Sequence, residues 1–163
     1  MGDPFPTLQK MIGAAALLIR DARGAVMVVR TTYKELCDLP GGAIEPGESP
    51  RQCAEREAIE ELGLAIPAGR LLVASHSADH SKVPSAMMHF IFEGPRFEEL
   101  DVGSIRLGPD EIAEYIFIDP QEVEKLVGPR LGPKILAAAT AATKATTTYM
   151  EFDPSHEFTI DPS

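Results

Sequence analysis

Three glutamates at helical spacing are the residues of this sequence best suited to chemistry. Glu57, Glu60 and Glu61 lie three and four positions apart, so a helix would place their carboxylates on one face. Like charges at this spacing repel each other and weaken an isolated helix slightly. A cation among the carboxylates would relieve that repulsion. An acidic face that simply contacts water is the simpler alternative for such a run of charges.

Signals on both sides of the glutamates predict a well-defined helix preceded by a turn. Ser49 is a suitable N-cap, Pro50 suits the first helical position, and Gln52 completes a capping box with Ser49. Gly63 predicts the helix end, because glycine adopts the left-handed conformation without a steric penalty. A tight turn is predicted at Pro40–Gly42. Four apolar residues are expected on the side away from the glutamates: Ala54, Ala58, Ile59 and Leu62.

The stretch from Gly42 to Leu64 matches the fixed-spacing pattern G-x5-E-x7-R-E-U-x-E-E-x-G-U, where U is an aliphatic residue. The matching residues are Gly42, Glu48, Arg56, Glu57, Glu60, Glu61, Gly63 and Leu64. Ala58 departs slightly, because this position more often holds Ile, Leu or Val, but no chemical group is lost. The chain therefore resembles the Nudix hydrolase family, and this match is far more specific than a lone glycine-rich motif.

The order of the predicted elements is that of a mixed α/β chain. Strands are predicted at 11–20, 25–32, 71–77, 87–93 and 114–118. Helices are predicted after the motif at 120–127, with Asp119 as N-cap, and at 133–145. The resemblance implies a single-domain α/β/α Nudix sandwich whose mixed β-sheet carries the motif helix on one face and the C-terminal helix on the other.

The domain is expected to span residues 1–150, followed by a mobile C-terminal tail at 151–163 that contains two prolines and few apolar residues. Phe158 and Ile160 in this tail could dock on a partner, and a homodimer stays open.

Composition narrows the class of protein. The 163 residues suit one soluble domain, and 44% hydrophobic residues can supply its core. A net charge of −10 argues against nucleic acid as a partner. The longest apolar run, Met11–Ile19, is too short to cross a bilayer and lacks a signal-peptide cleavage pattern. Cys37 and Cys53 have no metal-binding spacing and predict free thiols in a reducing cytoplasm.

Carboxylate oxygens are hard ligands that suit Mg²⁺, or Mn²⁺, better than zinc. Such cations bridge an acidic protein to a polyanionic diphosphate and lower the pKa of a bound water that attacks phosphorus. The resemblance implies four metal ligands, namely Glu57, Glu60, Glu61 and the backbone carbonyl of Gly41. It also implies that Arg56 pairs with Glu48 and holds the loop against the helix, rather than lying free on the surface.

The family often uses one more glutamate, from a loop just before a later strand. Glu111 precedes the strand at 114–118 and is the candidate here. Three other glutamates compete for this role: Glu98, Glu99 and Glu114.

Substrate contacts are predicted at Arg30, Tyr33 and His76. Arg30 at a strand end could hold a phosphate or be an ordinary surface residue, and Tyr33 could stack on a base. His76, or His80 in the next loop, could line the substrate pocket, although a structural or exposed histidine is the simpler interpretation of either.

The predicted activity is hydrolysis of a phosphoanhydride bond in a nucleoside triphosphate, or in a nucleoside diphosphate linked to another moiety. Signature residues of several narrower subfamilies are missing, so the substrate stays open within this class. Two alternatives stay open as well. One is a nucleotide-metabolite sensor that binds without turnover, and the other is an interaction protein whose acidic helix is merely solvated.

Overall fold

A mixed β-sheet with helices on both of its faces forms the framework of the protein. The computed structural model describes residue 2 and residues 4–78, 86–153 and 156–161. The strands are β1 (Met11–Arg20), β2 (Val26–Thr31), β3 (Gly41–Ala43), β4 (Leu71–Ser77), β5 (Ala86–Arg96), β6 (Ile112–Ile118), β7 (Thr148–Asp153) and β8 (His156–Asp161). The helices are α1 (Pro50–Leu62), α2 (Glu124–Val127) and α3 (Gly132–Lys144), with short 3-10 turns at Phe97–Glu99 and Val102–Ser104.

Within the described residues these strands join in one eight-stranded sheet with the order β6-β2-β1-β5-β4-β7-β8, and β3 pairs with β1 beside this path. The pairs β1–β5 and β4–β7 are parallel, whereas the other neighbours are antiparallel. The predicted mixed sheet of a single α/β/α domain is therefore confirmed. The predicted strands at 11–20 and 71–77 coincide with β1 and β4, and the other predicted boundaries differ by at most four residues.

The central strand β1 is apolar on both faces because helices cover both faces of the sheet. Leu18 belongs to one buried cluster together with Ile135 of α3. Leu17 belongs to a second cluster with Ala58 and Leu62 of α1. The sheet therefore separates two cores, one under each long helix. None of the described helices is long and apolar enough to span a membrane.

Helix α1 begins and ends where its capping residues predict. Ser49 accepts a hydrogen bond from the Gln52 N–H at 3.2 Å, and Gln52 Oε1 accepts one from the Ser49 N–H at 2.9 Å. Gly63 has φ 70° and donates to the Ile59 carbonyl at 2.9 Å. Each end of the helix thus satisfies backbone groups that would otherwise lack partners.

The predicted apolar side of α1 is wrong in one respect. Ile59 is 54% exposed, whereas Glu57 and Glu61 are only 9% and 6% exposed. The helix face towards the sheet runs through positions spaced by three and four residues, as expected of an amphipathic helix. Two of the glutamates lie on that face rather than opposite it. The buried residues of α1 are Cys53, Ala54, Glu57, Ala58, Glu61 and Leu62.

The tight turn predicted at Pro40–Gly42 is also wrong, because this segment leads into β3. The Pro40 carbonyl accepts from the Leu17 N–H at 2.9 Å, and β3 continues this pairing along β1. A Cβ at Gly41 would lie 2.6 Å from Ala16 Cα. Glycine is therefore needed here for close contact between two backbones.

Towards the C-terminus, β7 lies parallel to β4, and β8 lies antiparallel to β7. The sheet thus extends to residue 161, beyond the domain end predicted at 150. Period-based interpretation of the sequence missed both strands, since their pairing depends on the distant edge of β4. The mobility expected for the tail stays a prediction. The helix predicted from Pro120 begins only at Glu124, because Asp119 Oδ1 caps a turn by accepting from the Gln121 N–H at 2.8 Å.

Candidate active site

The Arg56 guanidinium lies among three glutamates between α1 and the loop before it. Its Nε and Nη2 donate to the two carboxylate oxygens of Glu48 at 2.8 and 3.1 Å. Its Nη1 donates to Glu57 at 2.8 Å and to Glu60 at 3.0 Å, while Nη2 also donates to the Ala43 carbonyl at 3.0 Å. The hydrogen bonds from Arg56 lower the pKa of Glu48 to about 2. This cation therefore ties the loop, the end of β3 and the helix together.

Glu61 and Glu57 are carboxylates held away from water beside β3. Glu61 Oε2 accepts a hydrogen bond from the Gly41 N–H at 3.0 Å. Burial raises the pKa of Glu61 to about 8, and the nearby charges of Glu57, Asp38 and Glu111 contribute. Burial also raises the pKa of Glu57, although the hydrogen bond from Arg56 opposes this shift. The site thus holds more carboxyl groups than its one cation, Arg56, can pair with in their charged form.

Glu111 is close enough to Glu57 and Glu61 for its charge to contribute to the raised pKa of both. Its backbone carbonyl accepts from the Thr32 N–H at 2.9 Å, which fixes the loop immediately before β6. The competing glutamates have other partners. Glu98 accepts from the Ala22 N–H, Glu99 from the Arg96 N–H, and Glu114 from Arg30 Nε.

Strand β3 separates the helix carboxylates from a neighbouring cavity. A Cβ at Gly42 would lie 2.6 Å from Glu57 Cδ, so only glycine leaves room for this carboxylate. The Gly41 N–H points towards Glu61, and in an antiparallel strand the carbonyl of the same residue points to the same side. The Gly41 carbonyl therefore points away from β1, towards the acidic helix.

The donor set of this site fits a hard divalent cation. In the described part of the chain no three metal-ligating side chains converge on one point, because Arg56 holds Glu57 and Glu60 while Glu61 binds Gly41. All the available donors are nonetheless oxygens, which Mg²⁺ and Mn²⁺ prefer. The Arg56 Nη1 group shows that a positive charge is accommodated within 3.0 Å of two of the glutamates.

A cavity of about 530 Å³ lies on the other side of β3, between the sheet and α3. Alanines on β1 and glycines on β3 border it, and their small size leaves this space open. The polar residues that line it are Lys34, Asp38, Ser77, His89, Arg130 and Lys134. The sequence singled out none of these as a substrate contact, although Lys34 and Ser77 directly follow the predicted contacts Tyr33 and His76. Alternation along β5 could have predicted that His89 lies on the same face as Met87. It could not have predicted which residues of other elements line the cavity with them.

The predicted substrate contacts do not line this cavity. Arg30 pairs with Glu114 at 2.8 Å, and Tyr33 is 67% exposed with Lys34 Nζ 5.5 Å from its ring centre. Consecutive residues of a strand point to opposite faces, so His76 faces away from the cavity that Ser77 lines. His80 and the rest of the loop at 79–85 lie outside the described residues.

The comparison with protein families agrees with the motif and the geometry. The model of the NUDIX domain matches residues 10–138. The chain belongs to the Nudix family. An RNA pyrophosphohydrolase from Pectobacterium atrosepticum is 32% identical to this Nudix protein over 74 residues, which are 45% of this chain and 42% of that relative. The chain therefore spans less than half the length of that relative.

Solved structures show the same fold. The crystal structure of a UDP-X diphosphatase matches with a TM-score of 0.68 and 21% identity, covering 90% of this chain and 70% of the other. A MutT protein from Methanosarcina mazei Go1 matches with a TM-score of 0.65 and 20% identity, covering 83% of this chain and 97% of the other. At these identities the similarity establishes the fold of the Nudix protein and not its substrate.

We expect Gly42→Ala and Gly41→Ala to have different effects. In Gly42→Ala the new Cβ displaces the Glu57 carboxylate, so Mn²⁺ binding should weaken about 10-fold or more while the fold is retained. In Gly41→Ala the Cβ meets the β1 backbone, so the protein should lose roughly 1–3 kcal/mol of stability. Electron paramagnetic resonance of Mn²⁺ and thermal unfolding in chelator measure the two effects. Unchanged Mn²⁺ affinity in Gly42→Ala would contradict the proposed position of Glu57 beside the metal.

Arg56→Ala should lower stability even without metal, because it leaves three carboxylates without their shared cation. We expect a loss of about 2–3 kcal/mol, or a melting temperature lower by roughly 5–10 °C. Arg56→Lys is the matched control, since it keeps the charge but loses the two-pronged contact with Glu48. The melting temperature of Arg56→Lys in EDTA should lie between those of the parent and Arg56→Ala. A melting temperature of Arg56→Ala equal to that of the parent would show that the guanidinium is an ordinary surface group.

Proposed function

We propose that this Nudix protein is an Mg²⁺-dependent pyrophosphohydrolase, active with Mn²⁺ as well. Its substrate is a nucleoside triphosphate or a nucleoside diphosphate linked to another moiety, and the reaction cleaves a phosphoanhydride bond. The observation that carries this proposal is the burial of Glu57 and Glu61 directly behind the glycine strand that borders the cavity. A diphosphate at β3 would lie between the acidic helix and the space for a nucleoside.

The residues divide into ligands and positioning groups. The oxygens that would hold the metal belong to Glu57, Glu60, Glu61 and the Gly41 carbonyl. When bound, the metal neutralises phosphate charge and lowers the pKa of a water. Glu111, beside the buried carboxylates, accepts the proton of the attacking water. Arg56 and Glu48 are positioning residues, because they orient Glu57 and Glu60 and fix the loop.

The comparisons support the reaction class more than the substrate. One similar protein is named an RNA pyrophosphohydrolase and another a UDP-X diphosphatase. Both names describe cleavage at a diphosphate, but the two substrates differ in their other moiety. The net charge of −10 disfavours a long nucleic acid, and the cavity is of a size that suits one small molecule. Cys37 and Cys53 are buried free thiols, which supports a reducing cytoplasm as the location.

A sensor that binds a nucleotide without turnover is the second candidate. The buried carboxylates weigh against it, because a receptor for an anion gains nothing from their repulsion. Phosphate assays over a panel of nucleotides with Mg²⁺, with and without a coupling phosphatase, separate the two functions. Binding without product in either assay would favour the sensor.

Glu61→Gln and Glu57→Gln should each lower turnover by ~10²-fold or more, because each removes a charge that holds the metal. The fold should persist, since the amide oxygen introduced by Glu61→Gln can still accept from the Gly41 N–H and the repulsion within the helix decreases. Glu55→Gln is the matched control, as Glu55 lies on the same helix but accepts from the Ala68 N–H at 2.9 Å. Near-full activity of both test variants on the best substrate would rule out metal binding by the glutamates of α1.

Hydrolysis in ¹⁸O-labelled water should place the label at a phosphorus inside the nucleoside-linked chain. The expected product is a nucleoside monophosphate, because the carboxylates and β3 position a diphosphate rather than a terminal phosphate monoester. Mass spectrometry of the products locates the label. Labelled orthophosphate released directly from a phosphate monoester would instead identify a phosphatase.

A further inference from the structure

Lys134 on α3 buries its ammonium group at the end of the cavity that lies away from α1. The residue is only 5% exposed and lines the cavity. Its Nζ lies 3.5 Å from Ser77 Oγ, which is its one hydrogen-bond partner within the described residues. An ammonium group carries three N–H donors, and this contact is at the outer limit of a hydrogen bond. Among the residues that the structure describes, most of the donor capacity of Lys134 therefore has no acceptor, and the residue lines the cavity.

The surroundings make this buried charge unfavourable in the free protein. Burial, together with the nearby Arg130, lowers the pKa of Lys134 to about 8, so the group is still mostly charged at neutral pH. Burial and the Lys134 charge lower the pKa of the neighbouring His89 to about 3, so its ring is neutral. Lys134 has no carboxylate partner among the described residues. A buried ammonium in such surroundings lowers stability, and a bound anion would offset that cost.

This end of the cavity is too far from β3 to hold the same diphosphate as α1. Strand β3 pairs with β1, β1 with β5, and β5 with β4, on which Ser77 lies. Three strand spacings amount to ~14 Å. Lys134 and Ser77 therefore lie where the part of a substrate beyond the diphosphate would reach.

We propose that Lys134, assisted by Ser77, binds an oxyanion on the second moiety of the substrate, remote from the bond that is cleaved. The oxyanion is a phosphate monoester or a carboxylate, both of which accept the hydrogen bonds that Lys134 offers. The inference rests on the proposed function and narrows it to diphosphates that carry a second anionic group. The neutral ring of His89 lines the same cavity as Lys134 and can donate one further hydrogen bond to the oxyanion.

Substrate pairs that differ in one oxyanion test the specificity. NADPH and NADH differ in a phosphate monoester, whereas UDP-glucuronate and UDP-glucose differ in a carboxylate. In one pair the parent should favour the anionic member by about 10-fold or more in kcat/KM, mainly through KM. Lys134→Met should bring that ratio close to one, whereas Lys144→Met, a change at an exposed residue of the same helix, should keep it. A parent without preference in either pair, or a preference that persists in Lys134→Met, would overturn the inference.

A binding experiment in EDTA decides the inference even if none of the four compounds is hydrolysed. The proposed function is tested separately by the nucleotide panel and fails only if no nucleotide in it is hydrolysed. Inorganic phosphate and acetate are added at constant ionic strength while the melting temperature is recorded. At least one of them should stabilise the parent and Lys144→Met but not Lys134→Met. Without anion, Lys134→Met should melt higher than the parent, because a buried charge is removed. Lys134→Gln replaces it if the Met variant does not fold. The inference would be overturned if the anions stabilised all variants equally, or if neither anion stabilised the parent.

Discussion

The packing of α1 against the glycine strand β3 is the constraint on which the rest of this structure depends. Gly41 contacts the backbone of β1 on one side and donates to Glu61 on the other. Gly42 leaves the space that the Glu57 carboxylate occupies. Because these two residues carry no side chains, two carboxylates of α1 can lie buried beside the cavity instead of at the surface. That arrangement opposes stability, since burial raises the pKa of Glu61 to about 8 and so disfavours its charged form.

The network around Arg56 offsets part of this cost. Arg56 brings one delocalised cation to Glu48, Glu57 and Glu60. Stored repulsion of this kind is typical of sites where function, and not stability, determines the residues. The cavity beyond β3 has the Lys34–Asp38 ion pair at the end near Glu61 and Lys134 at the α3 end. The strands β1, β5 and β4 set the distance between these two ends.

Local sequence signals determined most of the framework of this protein. The caps Ser49 and Gly63 define α1, because capping depends on hydrogen bonds within a few residues. The apolar runs of β1 and β4 reveal strands for the same local reason. The motif spacing also brought together Arg56 and Glu48, since both belong to one loop and helix unit.

Only the tertiary structure decided which residues meet across elements. The pairing of the segment at 40–43 with β1 converts an apparent turn into a strand. The approach of the sheet buries Glu57 and Glu61 and exposes Ile59, which a helical wheel alone had placed on the apolar side. The cavity end formed by β4, β5 and α3 joins three elements that are far apart in sequence, and no local period encodes it. The sequence determines which chemical groups the side chains carry. Which of these groups lie close together is decided by strand pairing and by the packing of helices on the sheet.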